Sequence, residues 1–135
     1  MKIIVCIEKD NGLMFNNRRV SSDSVVIDRI IKMLGDGKLF LNEYSARLFL
    51  GKTDMLNIDE DFLNKAENDD YCFVENTDIL NHLHECNQFI VYQWNRRYPS
   101  DFKFPREEAL KNRKSVSVID FVGNSHEKIT EEIWE

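Results

Sequence analysis

The feature that most constrains the fold is the start of the chain, where a buried strand leads into an amphipathic helix. Residues 2–8 form a continuous apolar run rich in β-branched side chains. Such runs are typical of a strand covered on both faces, as in parallel sheets. Turn residues at 10–12 and a loop through Asn16-Asn17-Arg18-Arg19 follow, and a helix is predicted over residues 22–34. This order is typical of the opening half of an α/β unit.

The predicted helix has clear boundaries and one apolar side. Apolar residues recur at helical spacing, at Val26, Ile27, Ile30, Ile31 and Leu34. Ser21 or Ser22 is predicted to cap the helix, and Asp23 then lies in the first turn, where a carboxylate suits the helix dipole. Gly35 follows the last apolar residue and is predicted to end the helix.

The rest of the chain continues the alternation of strand and helix. Further strands are predicted at residues 38–42, 55–58, 71–74 and 89–94, with helices over 43–50, 59–65 and 79–85. Residues 98–110, which contain both prolines, are predicted to be irregular. Residues 115–122 and 126–134 are predicted to pair as an antiparallel hairpin around Gly123-Asn124-Ser125. We therefore expect one α/β domain over residues 1–135, with a mostly parallel central sheet, flanking helices and this C-terminal hairpin.

Composition excludes several classes of protein. The chain has 135 residues, 42% apolar and 31% charged, as in a single globular domain with one core. No apolar run reaches the roughly 18 residues that span a bilayer. Met1-Lys2 is followed by only five apolar residues before Glu8, and this run is too short for the apolar core of a signal peptide. A cytoplasmic location is therefore predicted. The three cysteines are odd in number and form no CxxC pair, which argues against a disulfide framework.

Charge is distributed unevenly along the chain. The net charge of −6 argues against general binding of nucleic acid. Residues 54–85 contain ten acids and one base, whereas residues 94–114 contain seven bases and three acids. Two interpretations stay open: two solvated faces, or a polarised surface that orients a charged partner.

The order of these pieces resembles dihydrofolate reductase over most of the chain. The opening strand, Asn11-Gly12, Asn16-Asn17 and Asp23 are similar to the start of that family. Residues 89–92, 101–105 and the run Asn124-Ser125-His126 are similar to its closing strands. The resemblance implies that Asp23 is the buried catalytic acid that holds the pterin. The alternative is an ordinary Asp in the first turn of a helix.

The chain departs from that family where the family binds NADPH phosphates. The family has a Gly-Gly turn beside the pyrophosphate, whereas this chain has Glu75-Asn76. The family's Gly-Arg step is replaced by Asn42-Glu43, and only Ser45 is similar to a family residue at that corner. The carboxylates of Glu43 and Glu75 are expected to repel each other and to repel phosphates at these positions. The resemblance therefore implies the scaffold without its cofactor, so no cofactor is predicted.

The chain also resembles a group of short bacterial proteins, some of them described as ribonuclease Z. Residues 15–19 and 125–132 carry this likeness. The zinc chemistry of that enzyme requires a His-x-His-x-Asp-His cluster, and this chain has only three histidines, His82, His84 and His126. On a helix His82 and Cys86 share a face and His84 points away, so no metal site is predicted.

Basic residues after two predicted strands are the best candidates for a binding site. Trp94-Asn95-Arg96-Arg97-Tyr98 interleaves bases and aromatics, and Arg18-Arg19 form a second basic pair. Because ligands of open α/β sheets lie beyond the carboxyl ends of the strands, these arginines are predicted to meet in one cleft with Asn16 and Asn17. The predicted function is a non-catalytic domain that binds a protein or a small anionic ligand. The alternatives are a reductase-like enzyme acting on a small heterocycle through Asp23, and an RNA-binding or RNA-cleaving protein.

Overall fold

The computed structural model describes residues 1–135 as two sheets, three short α-helices and two short 3₁₀ helices. None of the helices is both long and apolar enough to cross a membrane. In chain order the α-helices and strands are β1 (Lys2–Ile7), β2 (Gly12–Phe15), β3 (Arg18–Arg19), α1 (Ser24–Leu34), β4 (Leu39–Leu41), α2 (Glu43–Ala46), β5 (Leu56–Ile58), β6 (Tyr71–Phe73), β7 (Gln88–Gln93), β8 (Phe102–Lys103), α3 (Arg106–Leu110), β9 (Ser115–Phe121) and β10 (Ile129–Trp134). The 3₁₀ helices are Phe62–Asn64 and Leu80–Glu85.

The central sheet has seven strands in the order β5-β4-β6-β1-β7-β10-β9. The first five strands of this order are parallel to their neighbours. Strand β10 runs antiparallel to both β7 and β9. The predicted fold class, a mostly parallel sheet with a C-terminal antiparallel hairpin, is therefore confirmed.

The core lies on both faces of this sheet because β1 is at its centre. Ile3, Val5 and Ile7 face one apolar cluster, and Ile4 faces the other, and all four are fully buried. Helix α1 covers the second face with the predicted stripe, of which Val26, Ile27, Ile30 and Leu34 are buried. Each of these side chains contributes about 1.5–3 kcal/mol to folding through burial.

The stretch between β1 and α1 is more regular than predicted. Instead of a loop, β2 and β3 form a hairpin whose two-residue turn is Asn16-Asn17, with φ of 52° and 63°. Asparagine tolerates this left-handed conformation, and the right-handed twist of strands favours such turns in hairpins. Strand β8, in the stretch predicted to be irregular, pairs with β2 to complete a second sheet of order β3-β2-β8.

Three predicted helices are shorter or tighter than their patterns suggested. The helix predicted over residues 43–50 ends at Ala46, and those over 59–65 and 79–85 are 3₁₀ segments. The predicted cap of α1 was also wrong. Asp23 itself is the N-cap, since its carboxylate accepts from the backbone N–H of Val25, and Gly35 ends the helix with φ of 55°.

The turn between β9 and β10 packs closely against the start of α1. A Cβ at Gly123 would lie 2.5 Å from Oδ2 of Asp23 and 2.7 Å from Cδ1 of Ile129. Real side chains do not approach this closely, so only glycine allows the turn to reach the Asp23 carboxylate. Gly123, in the predicted turn, therefore allows the last hairpin to pack against the start of α1.

Gly123→Ala is expected to lower the free energy of unfolding by about 1–3 kcal/mol, because the added methyl group must displace a carboxylate or a packed isoleucine. Urea denaturation measures this change. Asn124→Ala in the same turn is the matched control: its side chain is exposed and only its backbone N–H contacts Asp23. Equal stability of the two variants would contradict the close approach.

Candidate functional site

Asp23 is buried, as the resemblance implied, but its carboxylate is occupied by the protein's own donors. Oδ1 accepts from the backbone N–H of Val25 and of Asn124, at 2.9 and 2.8 Å. Oδ2 accepts from the backbone N–H of Ser125 at 2.9 Å and lies 2.8 Å from Nδ1 of His126. The side chain has no exposed surface. The carboxylate thus has a donor on each side and none of its oxygen surface faces solvent.

These donors decide the protonation state of Asp23. Burial by itself would raise the pKa of the carboxyl group. The hydrogen bonds from Asn124, His126, Ser125 and Val25 outweigh burial and hold the pKa well below its ordinary value of 3.8. Asp23 is therefore a permanent carboxylate at neutral pH, and it has no proton to give to a bound heterocycle.

His126 connects this carboxylate to two hydroxyl groups. Because a carboxylate only accepts, the ring nitrogen Nδ1 carries the proton that points to Asp23. The other nitrogen, Nε2, lies 2.9 Å from Oγ of Ser21 and 3.2 Å from the hydroxyl of Tyr98. The ring stacks on Trp94, with centroids 4.6 Å apart and planes at 22°. Carboxylate, imidazole and hydroxyl thus form one hydrogen-bonded chain.

Ser21 and Asp23 line a small cavity together with Trp94 and Glu75. The cavity has about 10 Å³ for a water-sized group, and its other walls are mostly apolar, formed by Cys6, Ser22, Val26, Ile27, Leu48 and Phe73. The thiol of Cys6 is protonated, because burial raises its pKa well above the ordinary value. The indole Nε1 of Trp94 is a buried donor without a hydrogen-bond partner. A donor in this state is unusual in a folded protein.

Glu75 lies after β6, in the corner where the reductase family binds phosphate, and it is neutralised by an arginine. Its Oε2 accepts from Nε of Arg19 at 2.8 Å, and its Oε1 accepts from Nη2 of Arg19 at 3.1 Å and from Oγ of Ser45 at 2.8 Å. Burial disfavours the Arg19 cation, but the hydrogen bonds and charge of Glu75 raise the pKa of Arg19 above its ordinary value. Glu43 and Glu75 therefore do not form the expected pair of like charges, because Glu43 is exposed and Glu75 has a cationic partner.

The backbone donors at the start of α2 are also occupied. The N–H of Ser45 donates to the side chain of Asn42 at 3.0 Å, and the N–H of Glu43 donates to the carboxylate of Glu60 at 2.8 Å. Asn42 also donates to Asn76 at 2.7 Å, which fills the position of the family's Gly-Gly turn. A dinucleotide phosphate requires free N–H groups and positive charge here. The residues present do not fit that group.

The predicted arginines take different partners. Arg19 stacks on Tyr44, with its guanidinium carbon 4.5 Å from the ring centroid, and pairs with Glu75. Arg97 pairs with Asp10 in an exposed ion pair. Arg18 and Arg96 are exposed and form no ion pair. Asn16 and Asn17 serve as turn residues, and the N–H of Asn16 donates to Asp101.

Two lysines that the sequence interpretation missed join Arg96 and Arg97. Lys9 follows β1, and its backbone N–H donates to the carbonyl of Arg96 at 3.0 Å. Nζ of Lys103 donates to the carbonyl of Asp10 at 3.1 Å. The position of Lys9 directly after the first strand was an available signal, because β1 and β7 are parallel neighbours. We call Lys9, Arg96, Arg97 and Lys103 the basic patch; all four are exposed.

The three histidines lie in two separate places. His82 and His84 lie 3.5 and 3.7 Å from Oε1 of Glu85, whereas His126 contacts Asp23. No group of three or more His, Cys, Asp or Glu side chains is arranged to hold a metal ion.

Asp23→Asn is expected to lower the free energy of unfolding at pH 7 by about 1–3 kcal/mol, because an amide cannot satisfy every donor that the carboxylate accepts. The stability that comes from the depressed pKa of Asp23 is present above the ordinary value of 3.8 and is lost as the pH falls towards the folded-state value. The difference between wild type and variant should therefore narrow below about pH 4. Urea denaturation at several pH values measures it.

Asp69→Asn, at an exposed carboxylate, is the control, and its stability should follow that of wild type at every pH. A stability difference between wild type and Asp23→Asn that stayed constant with pH would contradict a depressed pKa of Asp23.

Comparison with known proteins identifies the fold but assigns no activity. No family model matches the sequence, and no curated protein matches it. Among solved structures, dihydrofolate reductase from Enterococcus faecalis, in a complex with NADP(H) and RAB-propyl, superimposes with a TM-score of 0.68. The match covers 99% of this chain and 94% of the reductase at 8% sequence identity. The chain therefore has the fold of dihydrofolate reductase, at a sequence identity of only 8%.

Proposed function

We propose that this protein is a binding domain on a reductase scaffold, that it performs no dinucleotide-dependent reduction, and that it binds an acidic segment of another protein through the basic patch. The observation that carries the proposal is the different use of the two sets of cations. Arg19 is neutralised by its ion pair with Glu75, in the corner that the resemblance assigns to phosphates, whereas the cations of the basic patch are exposed.

The basic patch has more cations than its surroundings can neutralise. Asp10 is the acid that it contacts, through the side chain of Arg97 and the main-chain carbonyl that accepts from Lys103. The nearby Asp101 accepts from the N–H of Asn16. Lys9 and Arg96 form no ion pair. Free cations at the carboxyl ends of parallel strands suit an anionic partner.

Most of the chain's acids lie outside the segments that form the basic patch. Ten of the 24 fall within residues 54–85, and the net charge of the chain is −6. Overall negative charge repels a polyanion from most of the surface, and the patch then favours one orientation of approach. An extended polyanion such as RNA is expected to be repelled more than a short acidic peptide.

The reductase-like alternative, reaction of a small heterocycle with Asp23, has less support. The carboxylate is fully hydrogen-bonded within the protein, and the cavity beside it is small. Both carboxylate oxygens already accept hydrogen bonds from the protein, so a heterocycle would have to displace one of these donors to bond with Asp23.

The double variant Lys9→Glu/Arg96→Glu is expected to weaken binding of a fluorescent glutamate-rich peptide by about tenfold, which corresponds to about 1.4 kcal/mol. Fluorescence anisotropy measures the affinity, and binding should weaken with added salt because the contacts are exposed. Inorganic pyrophosphate is titrated in a parallel arm, and tight binding of this small anion in place of the peptide would overturn the choice of a protein partner.

Lys111→Glu/Lys114→Glu is the matched control, with the same charge change at two exposed lysines of the basic segment over residues 94–114. It should retain the wild-type affinity. Equal losses in the two double variants would reduce the effect to net charge and would contradict a specific patch.

NADPH is expected not to bind at concentrations up to about 1 mM, because Glu60 and Asn42 accept the backbone N–H groups at the start of α2 and Glu75 pairs with the guanidinium of Arg19. Quenching of tryptophan fluorescence and the change in NADPH emission measure binding. Saturable binding that survives in Lys9→Glu/Arg96→Glu would show a dinucleotide site outside the basic patch and would contradict this interpretation.

A further inference from the structure

We infer that Ser21, His126 and Asp23 form a nucleophilic serine site that accepts a short, uncharged acyl ester. This inference goes beyond the proposed binding of an acidic segment and uses no side chain of the basic patch, so either can fail without the other.

The distances meet the requirement of an activated serine. Oγ of Ser21 lies 2.9 Å from Nε2 of His126, and Nδ1 of the same ring lies 2.8 Å from Oδ2 of Asp23. A nucleophilic hydroxyl needs a base within this distance, and the base needs a third group that fixes its tautomer. The three residues lie in this relation although 103 positions separate Asp23 from His126.

The orientation of the imidazole is tightly held. Two backbone N–H groups, from Asn124 and Ser125, fix the carboxylate that receives Nδ1–H. Trp94 stacks on the ring, and a face of indole stabilises an imidazolium. Asp23 is thus a positioning residue, and its permanent charge favours the protonated ring that forms when Ser21 loses its proton.

An unpartnered donor lies in a residue that lines the same cavity. Trp94 lines the space beside Ser21, and its Nε1 is buried and has no acceptor in the protein. A buried N–H without a partner costs about 1–3 kcal/mol, and a substrate carbonyl oxygen would satisfy it. The same donor would stabilise negative charge on that oxygen during attack.

The cavity limits the class of substrate. Its walls are mostly apolar, and the carboxylate of Glu75, itself paired with Arg19, is at one side. The cavity has only about 10 Å³ for a water-sized group, so the carbonyl oxygen of an ester can enter it, and the acyl chain and the alcohol have to be small enough to lie at its open side. The apolar walls disfavour a charged acyl group. Cys6 lines the same space, but its protonated thiol leaves Ser21 as the nucleophile.

The reaction is balanced as ester plus water giving acid plus alcohol. Oγ of Ser21 forms a bond to the ester carbonyl carbon while its proton moves to Nε2 of His126. The carbon–oxygen bond to the alcohol breaks, and the alcohol leaves with that proton. Water then attacks the acyl-serine and gives a proton to Nε2, which returns it to Oγ as the carboxylic acid leaves.

The test is covalent labelling of the full chain with a fluorophosphonate probe, followed by peptide mapping, with hydrolysis of p-nitrophenyl acetate as a second readout. Wild type should be labelled at Ser21. Ser21→Ala should lose the label, and His126→Gln should be labelled at least about 100-fold more slowly. Circular dichroism and urea denaturation show whether each variant is folded.

Ser24→Ala is the matched control, because Ser24 is a nearby exposed serine that does not line the cavity. It should be labelled at the wild-type rate. The pH profile of the labelling rate should differ between wild type and His126→Gln, a difference that a purely structural network would not show. An unlabelled wild-type protein, a label at another residue, or equal labelling of Ser21→Ala would overturn the inference.

Discussion

The tertiary structure depends on one buried carboxylate that connects two distant parts of the chain. Asp23 caps the first turn of α1 and accepts two N–H groups from the turn between β9 and β10. Only glycine at position 123 lets the turn come this close. The donors hold the pKa of Asp23 below its ordinary value, so the interaction persists as a full charge with full hydrogen bonding. The orientation of His126, and with it the position of Ser21, follows from this connection.

A second buried charge explains how the scaffold differs from the enzyme that shares it. Glu75 and Arg19 form a bidentate ion pair, with Ser45 as a further donor, in the corner that the resemblance assigns to phosphates. An isolated buried charge is costly, whereas a paired and hydrogen-bonded one is tolerated. The corner is thus satisfied internally, whereas the cations at the ends of β1 and β7 stay exposed. The shared fold does not by itself assign an activity, because function depends on side chains placed on a common framework.

Local patterns predicted the elements better than the contacts between them. The apolar run of β1, the stripe of α1 and the turn at residues 123–125 each carried their signal within a few residues, and the structure confirms all three. The hairpin at residues 12–19 was missed, although Asn16-Asn17 was a turn signal, because its strands are only four and two residues long. The cap of α1 was misassigned because serine and aspartate cap equally well, and the contacts of Asp23 with the distant turn favour the aspartate.

The sequence by itself determined the class of fold, because periodicity and β-branched runs are properties of neighbouring residues. The resemblance implied that Asp23 is buried, and the sequence showed that basic residues follow the predicted strands. Only the tertiary structure decided the partners of these charges. The pairing of Arg19 with Glu75 spans 56 positions and that of Asp23 with His126 spans 103, and no local pattern encodes such distances. No shared sequence motif contains Ser21, Trp94 and His126. Ser21 precedes α1, Trp94 follows β7 and His126 lies in the turn between β9 and β10, and the fold brings these three points of the chain together.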